Sequence, residues 1–207
     1  QWVSSGINHV CIAPGSRSTC LVLALYECSE IIKTTHYDER SAGFFALGYA
    51  KEKKAPMVII TTSGSAVANL MPSVVEAYEL QIPMLLVTAD RPEELHHCGA
   101  NQTINQLSMF KNYTVKQFDI SAPTKNPHSF STFKQVLNEL HQFYLQGPVH
   151  LNIAFREPFI DLTETEYPSY HPLIFREKIQ QQIDCKISFD KLQTWFNQHV
   201  QNRRALC

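Results

Sequence analysis

Long apolar runs, long basic runs and closely spaced cysteine pairs are all missing from this 207-residue sequence. No apolar stretch reaches the roughly 18 residues that a membrane-spanning helix needs, so we expect no membrane partner. The formal net charge is -1, with 18 Lys and Arg residues against 19 Asp and Glu residues. Without a basic cluster, nucleic acid is not an expected partner either.

The cysteines are not spaced like a metal site or a disulfide framework. They lie at Cys11, Cys20, Cys28, Cys98, Cys185 and Cys207. The absence of a Cys-x-x-Cys pair favours a reduced, cytoplasmic protein. The segment His96-His97-Cys98 contains three potential ligands. Adjacent loop residues rarely converge on one ion, so we expect no metal there.

Apolar runs rich in Val, Ile and Leu alternate with segments of helical periodicity. We predict strands at His9–Ala13, Ile31–Thr35, Met57–Thr61, Met84–Thr88, Thr114–Phe118 and Val149–Ile153. We predict helices at Ser18–Cys28, Glu39–Lys53, Ala66–Leu80 and Ser129–Leu145. This βαβα order, with strands that are apolar throughout, predicts an α/β fold in which helices sandwich a mainly parallel sheet.

The periodic pattern fades in the last quarter of the chain. We predict one domain over residues 1–157 and a proline-containing connector over residues 158–187. A helical pattern resumes at Ser188–Val200, and we assign residues 188–207 to the start of a further, truncated domain. The chain begins without Met and ends in a helix-like stretch, so we expect both ends to lie inside a longer protein.

Two adjacent carboxylates, Asp38 and Glu39, stand between a predicted strand and a predicted helix. Open α/β sheets bind their ligands at the carboxyl ends of strands, which makes this pair a candidate for ligand contact. The same residues allow a second interpretation, in which both acids only cap the helix and complement its positive end.

Further polar clusters follow other predicted strands. Arg17 lies at a helix start, where a cation is disfavoured, and this indicates either an anionic ligand or a neighbouring carboxylate as its partner. A second guanidinium, Arg91, follows the fourth strand, and two amides, Asn101 and Gln102, come soon after it. Because the carboxyl ends of parallel strands meet at one edge of a sheet, we expect these groups to lie around one rim.

Five segments in this order carry a resemblance to one enzyme family. They are Ala13-Pro14-Gly15-Ser16-Arg17-Ser18-Thr19, Asp38-Glu39-Arg40, Thr62-Ser63-Gly64-Ser65-Ala66-Val67-Ala68-Asn69, Thr88-Ala89-Asp90-Arg91-Pro92 and Gly99-Ala100-Asn101-Gln102. The set resembles the amino-terminal, pyrimidine-binding domain of the 2-succinyl-5-enolpyruvyl-6-hydroxy-3-cyclohexene-1-carboxylate (SEPHCHC) synthases, which are thiamine-diphosphate enzymes of menaquinone biosynthesis. The resemblance covers about Gly6 to Pro158. Cys20 departs from it, since the family usually has proline there.

The resemblance implies a transferase that decarboxylates 2-oxoglutarate and adds the succinyl-semialdehyde unit to isochorismate. It assigns Glu39 to the pyrimidine N1′ of thiamine diphosphate, as a catalytic and cofactor-binding residue. It assigns Ser16, Arg17, Arg91, Asn101 and Gln102 to contacts with the substrates. Planar guanidinium groups suit the carboxylates that both substrates carry.

The sequence lacks the Gly-Asp-Gly segment with which thiamine-diphosphate enzymes hold the diphosphate through Mg²⁺ or Mn²⁺. The resemblance therefore implies that the metal site lies outside this chain. It also implies a homo-oligomer, a dimer or a dimer of dimers, and a chain that is inactive alone. Two alternatives stay open. One is another thiamine-diphosphate carboligase or decarboxylase of acetolactate-synthase type, and the other is a non-catalytic α/β module. NAD binding is disfavoured because no Gly-x-Gly-x-x-Gly follows the first strand.

Overall fold

A computed structural model of the chain describes residues 3, 6–124 and 127–159, without the side chains of residues 127, 128 and 130. These residues belong to a compact unit that spans Gln1–Pro168. The predicted connector and the predicted helix Ser188–Val200 therefore lie largely or wholly outside the described residues. Our division of the chain at residues 157 and 187 stays a prediction.

Six strands form one sheet, and all of its neighbouring strands run parallel. The strands are β1 (His9–Ile12), β2 (Ile32–Thr35), β3 (Met57–Thr61), β4 (Met84–Asp90), β5 (Lys116–Ile120) and β6 (Val149–Ala154). Their order across the sheet is β2-β1-β3-β4-β6-β5. The predicted α/β fold with a mainly parallel sheet is confirmed.

The helices are α1 (Thr19–Tyr26), α2 (Glu39–Lys53), α3 (Ser65–Ala68), α4 (Met71–Glu79), α5 (Gln106–Met109) and α6 (Pro127–Leu140). Short 3-10 turns at Ser16–Ser18 and Glu93–Leu95 complete the described helical elements. The helix α2 has the bounds that the sequence predicted. Asp38 caps its start by accepting a 2.7 Å hydrogen bond from the amide of Ser41, and Lys54 ends it in the left-handed conformation.

The single helix predicted over Ala66–Leu80 was wrong, because the structure divides it into α3 and α4. Pro72, near the start of α4, explains the break. Proline has no N–H to donate to the carbonyl of Ala68, and its ring would clash with that carbonyl in a continuous helix. Two other elements have bounds that differ from the prediction. The fifth strand begins two residues later than expected, and α6 ends at Leu140 rather than Leu145.

Each face of the sheet carries its own apolar core, which explains why the strands are apolar throughout. Along β3, Val58 and Ile60 pack into one core while Met57 and Ile59 pack into the other. The first core includes side chains of α1 and α6, and the second includes side chains of α2 and α4. All five residues of β3 are buried.

Candidate active site

Every segment that the sequence analysis singled out lies at the carboxyl edge of the sheet. The loop after β1 holds Ser16 and Arg17, and the turn after β2 leads into Glu39. The loops after β3 and β4 hold the remaining candidates. The closeness of these loops is visible at Gly15, where a Cβ atom would lie 2.4 Å from Cβ of Thr62. Only glycine allows this approach.

Glu39, the first residue of α2, is half-buried. Its Oε2 accepts a 3.2 Å hydrogen bond from Nδ2 of Asn69, which directly follows α3. Among the described residues Oε1 has no hydrogen-bond partner. Asp38, by contrast, is engaged as the helix cap, which is one of the two roles that the sequence left open. The assignment of Glu39 to ligand contact stays a prediction.

Arg91 joins the loop after β3 to a later part of the segment between β4 and α5. Its Nη1 donates to the hydroxyl of Ser63, and also to the carbonyl oxygen of Gln102 at 2.7 Å. The amide of Gln102 in turn donates to the carbonyl of Ser63 at 2.8 Å. Gly64 has a φ of +76°, and a Cβ there would lie 2.5 Å from Cγ of Gln102, so the contact requires glycine. The structure thus brings two of the predicted substrate residues together.

Arg17 lies in the turn before α1, and it is buried, with 5% of the residue exposed. Burial lowers the pKa of Arg91, and the nearby positive charge of Arg17 lowers that pKa further. The two guanidinium groups therefore interact electrostatically, and each can bind an anion.

The other two predicted substrate residues are exposed. Ser16 opens the turn that contains Arg17, and its carbonyl oxygen accepts a 2.6 Å hydrogen bond from the hydroxyl of Thr19. Asn101 lies beside Gln102, and its carbonyl oxygen accepts a bond from Thr103. Within the described part of the chain, no hydrogen bond joins Glu39 to either arginine, although all three follow strands at the same edge.

A buried polar network behind this edge was missed by the sequence analysis. Its centre is Asn152 on β6, which makes four side-chain hydrogen bonds of 2.8–3.0 Å. Its partners are Thr88, Gln106, Asp90 and Asp119. The signal was present in the sequence, because polar residues at alternate positions of a fully buried strand need partners inside the protein.

Gln106 connects this network to the loop after β3, which belongs to the candidate site. Its side-chain oxygen accepts from the amide of Gly64 at 2.8 Å, while its Nε2 donates to Asn152 and to the carbonyl of Ala89. Gln106 is 1% exposed. One buried side chain therefore ties the loop after β3 to β4 and β6, and this fixes the backbone beside Ser63.

Beside the network lies a cavity of about 560 Å³. Its wall includes Asp90, Arg91, Gln106 and Asn152. Neither Arg17 nor Glu39 lines it. Burial raises the pKa of Asp90, against the lowering effect of hydrogen bonds from Asn152 and the amide of Arg91. This cavity reaches Arg91 but does not include Arg17 or Glu39.

Among the described residues, no group of three or more His, Cys, Asp and Glu side chains is arranged to hold a metal ion. No helix in that part of the chain is long and apolar enough to cross a membrane.

The fold is a parallel sheet that carries one acid, Glu39, and two arginines, Arg17 and Arg91, at its carboxyl edge. This arrangement agrees with the enzyme family that the sequence matches. The chain belongs to the family of thiamine pyrophosphate enzymes, in their N-terminal TPP binding domain, which matches residues 2–109.

Curated relatives narrow the comparison. The chain is 40% identical to the SEPHCHC synthase of Haemophilus influenzae (strain PittGG), over 99% of this chain and 35% of the relative. It is 44% identical to the SEPHCHC synthase of Histophilus somni (strain 129Pt), over 81% of this chain and 30% of the relative. It is 38% identical to the SEPHCHC synthase of Pasteurella multocida (strain Pm70), over 95% of this chain and 33% of the relative. The resemblance inferred from the motifs is confirmed, and the chain spans about a third of the length of these relatives.

Proposed function

We propose that this chain provides the pyrimidine-binding part of a thiamine-diphosphate-dependent SEPHCHC synthase of menaquinone biosynthesis. In this reaction 2-oxoglutarate is decarboxylated and its succinyl-semialdehyde unit is added to isochorismate. The observation that carries the proposal is the placement of Glu39, held by Asn69, at the same sheet edge as Arg17 and Arg91. The named relatives support it.

The residues present fit the pyrimidine half of thiamine diphosphate. Glu39 is half-buried, with one carboxylate oxygen engaged by Asn69 and the other without a partner among the described residues. That oxygen can share a proton with the ring nitrogen N1′, which is the role we assign to Glu39. Thiamine diphosphate, when bound, supplies the nucleophilic carbon that makes decarboxylation of a 2-oxo acid feasible.

The arginines, Gln102, Asn101 and Ser16 are proposed to bind the substrates. Both proposed substrates are carboxylates, and Arg91 keeps Nε and Nη2 without hydrogen-bond partners among the described residues. A planar guanidinium binds a carboxylate through two parallel hydrogen bonds. Loss of one such contact costs about 1.5–3 kcal/mol of binding free energy.

We also propose a homo-oligomer, in the cytoplasm, whose Mg²⁺ or Mn²⁺ is held by residues outside this chain. Large apolar side chains beside Glu39 support the oligomer: Tyr37 is 91% exposed, and Phe44 and Phe45 are also exposed. Exposed aromatic clusters mark interaction surfaces. The cytoplasmic location is supported by the free thiols of the four described cysteines.

A chimera tests the proposed function. This chain would replace the matching third of the Haemophilus influenzae relative, and the product would be assayed with thiamine diphosphate, Mg²⁺, 2-oxoglutarate and isochorismate. We expect SEPHCHC formation, and a loss of about 10²-fold or more in turnover for Glu39→Gln. We expect no turnover from the 207-residue chain by itself.

Asp38→Asn is the matched control. It removes the neighbouring negative charge but keeps a side chain that caps helices as well as aspartate does. We expect its turnover to stay within a few-fold of the parent chimera. A folded chimera without synthase activity, or a Glu39→Gln variant with normal turnover, contradicts the proposal.

A further inference from the structure

Arg17 already holds a carboxylate in this structure. Its Nη2 donates to Oε1 of Glu157 at 2.7 Å, and its Nη1 donates to the carbonyl oxygen of Phe155 at 2.6 Å. The ring of Phe159 lies 4.9 Å from the guanidinium carbon. Its Nε is buried without a hydrogen-bond partner. A buried guanidinium needs an anion, and the segment after β6 supplies one.

The two partners of this ion pair differ greatly in exposure. The side chain of Arg17 is 6% exposed, whereas that of Glu157 is 67% exposed. Glu157 can therefore rotate into solvent while Arg17 stays in place. When it leaves, Arg17 loses its counter-ion, and a new anion at the same position becomes strongly favourable.

Glu157 also acts on the second guanidinium. Asp90 and, to a smaller extent, Glu157 raise the pKa of Arg91, against the lowering by burial and by Arg17. Glu157 thus pairs with Arg17 and adds negative charge near Arg91. Because Nη1 and Nη2 of Arg17 are both engaged, a carboxylate that binds Nη2 has to replace Glu157.

We propose that Glu157 is an internal counter-ion of the substrate site, which an incoming substrate carboxylate displaces from Arg17. This inference rests on the proposed function for the identity of that carboxylate, either 2-oxoglutarate or isochorismate. Displacement makes Glu157 a specificity-determining residue. A ligand without a carboxylate cannot replace the charge that Arg17 loses, so it is rejected.

Succinate is a suitable probe, because it is a simple dicarboxylate that undergoes no reaction. Its dissociation constant would be measured by calorimetry on the 207-residue chain and on Glu157→Gln. We expect the variant to bind succinate about tenfold or more tightly, since the competing internal charge is gone. In Arg17→Gln/Glu157→Gln the gain should disappear.

Glu94→Gln is the matched control. Glu94 pairs with Arg156 at 2.6 and 2.9 Å, and both side chains are about half exposed. Removing this carboxylate changes the net charge by the same amount without touching Arg17. We expect its affinity for succinate to equal that of the parent chain.

Three results would overturn the proposal. Succinate affinity that is unchanged or weaker in Glu157→Gln would make Glu157 a fixed support of Arg17. An equal gain in Glu94→Gln would reduce the effect to net charge, and absence of succinate binding in every variant would remove the anion site. A thermal midpoint that succinate raises more in Glu157→Gln than in the parent chain gives a second readout of displacement. All of these use the chain alone, so an inactive chimera with an intact succinate effect contradicts only the proposed function.

Discussion

The two halves of the carboxyl edge of the sheet differ in how their polar and apolar side chains are arranged. The half formed by β4, β6 and β5 encloses a polar network, whose central residue, Asn152, is 2% exposed. The half formed by β2 and α2 packs through small side chains such as Ala42 and Ala46, and leaves Phe44 and Phe45 exposed. The first half pairs most of its buried polar groups internally, although Nε2 of Gln117 and Nδ1 of His150 have no hydrogen-bond partner among the described residues. The second half presents Glu39 and exposed apolar side chains.

Removing the centre of the network should produce the largest change in stability. Asn152→Ala removes one hydrogen bond from each of three buried side chains, Gln106, Asp90 and Thr88. We expect the free energy of unfolding to fall by about 3 kcal/mol or more. Urea denaturation measures it. Asn101→Ala, at an exposed position, should change stability by less than about 0.5 kcal/mol. Similar losses in both variants would show that the network does not stabilise the fold.

Two glycines of α2 test whether the other half depends on close packing. A Cβ at Gly43 would lie 2.2 Å from the hydroxyl oxygen of Ser73 on α4, while a Cβ at Gly48 would have no neighbour within 4 Å. Gly43→Ala should cost about 1–3 kcal/mol through overpacking. Gly48→Ala should stabilise the chain by roughly 0.5–1 kcal/mol, because glycine weakens a helix. Changes of the same sign in both variants would refute close packing between α2 and α4.

A buried histidine in the first half makes the free energy of unfolding depend on pH. Burial lowers the pKa of His150 from 6.5 to about 3. Below pH 6.5 the unfolded chain therefore binds a proton that the folded chain excludes, so stability falls as the pH falls from 6.5 toward 3. The slope from this residue is up to about 1.4 kcal/mol per pH unit.

Denaturation of the parent chain and His150→Gln at several pH values between 4 and 7 measures this slope, with ~0.5-unit steps. Glutamine keeps an amide donor for the hydroxyl of Thr88, which lies 2.8 Å from Nε2 of His150. Other titrating groups, including Asp90, contribute equally to both proteins. We expect the free energy of unfolding of His150→Gln to fall less steeply with decreasing pH than that of the parent chain. Parallel pH profiles for the two proteins would show that His150 is not the source of the slope.

The fold could be predicted largely from local pattern. The bounds of α2 follow from the cap at Asp38 and the chain reversal at Lys54, both of which are local effects. Strand β3 was predicted correctly because burial on both faces demands a continuous apolar run. The break between α3 and α4 was missed although its cause, Pro72, is also local. The prediction relied on the helical spacing of the apolar residues and did not take into account that proline interrupts a helix.

The candidate site could be predicted only in part. Motif order placed Glu39, Arg17 and Arg91 at one edge, since the carboxyl ends of parallel strands coincide. It could not identify Asn69 as the partner of Glu39, because this contact depends on how α3 is set against α2. The roles of Gln106 and Asn152 were hidden for the same reason: their partners are distant in sequence.

The sequence by itself determined the alternation of strands and helices, the capped helix that begins at Glu39 and the set of charged groups at the ends of strands. These follow from periodicity, backbone propensity and the geometry of parallel sheets, all of which act over short stretches of chain. Only the tertiary structure decided which charge meets which. Arg17 and Glu157 are 140 positions apart, and their contact exists because β1 and the end of β6 reach the same edge of the sheet. Burial of Arg17 makes a counter-ion necessary there, since a guanidinium removed from water is costly when it is unpaired.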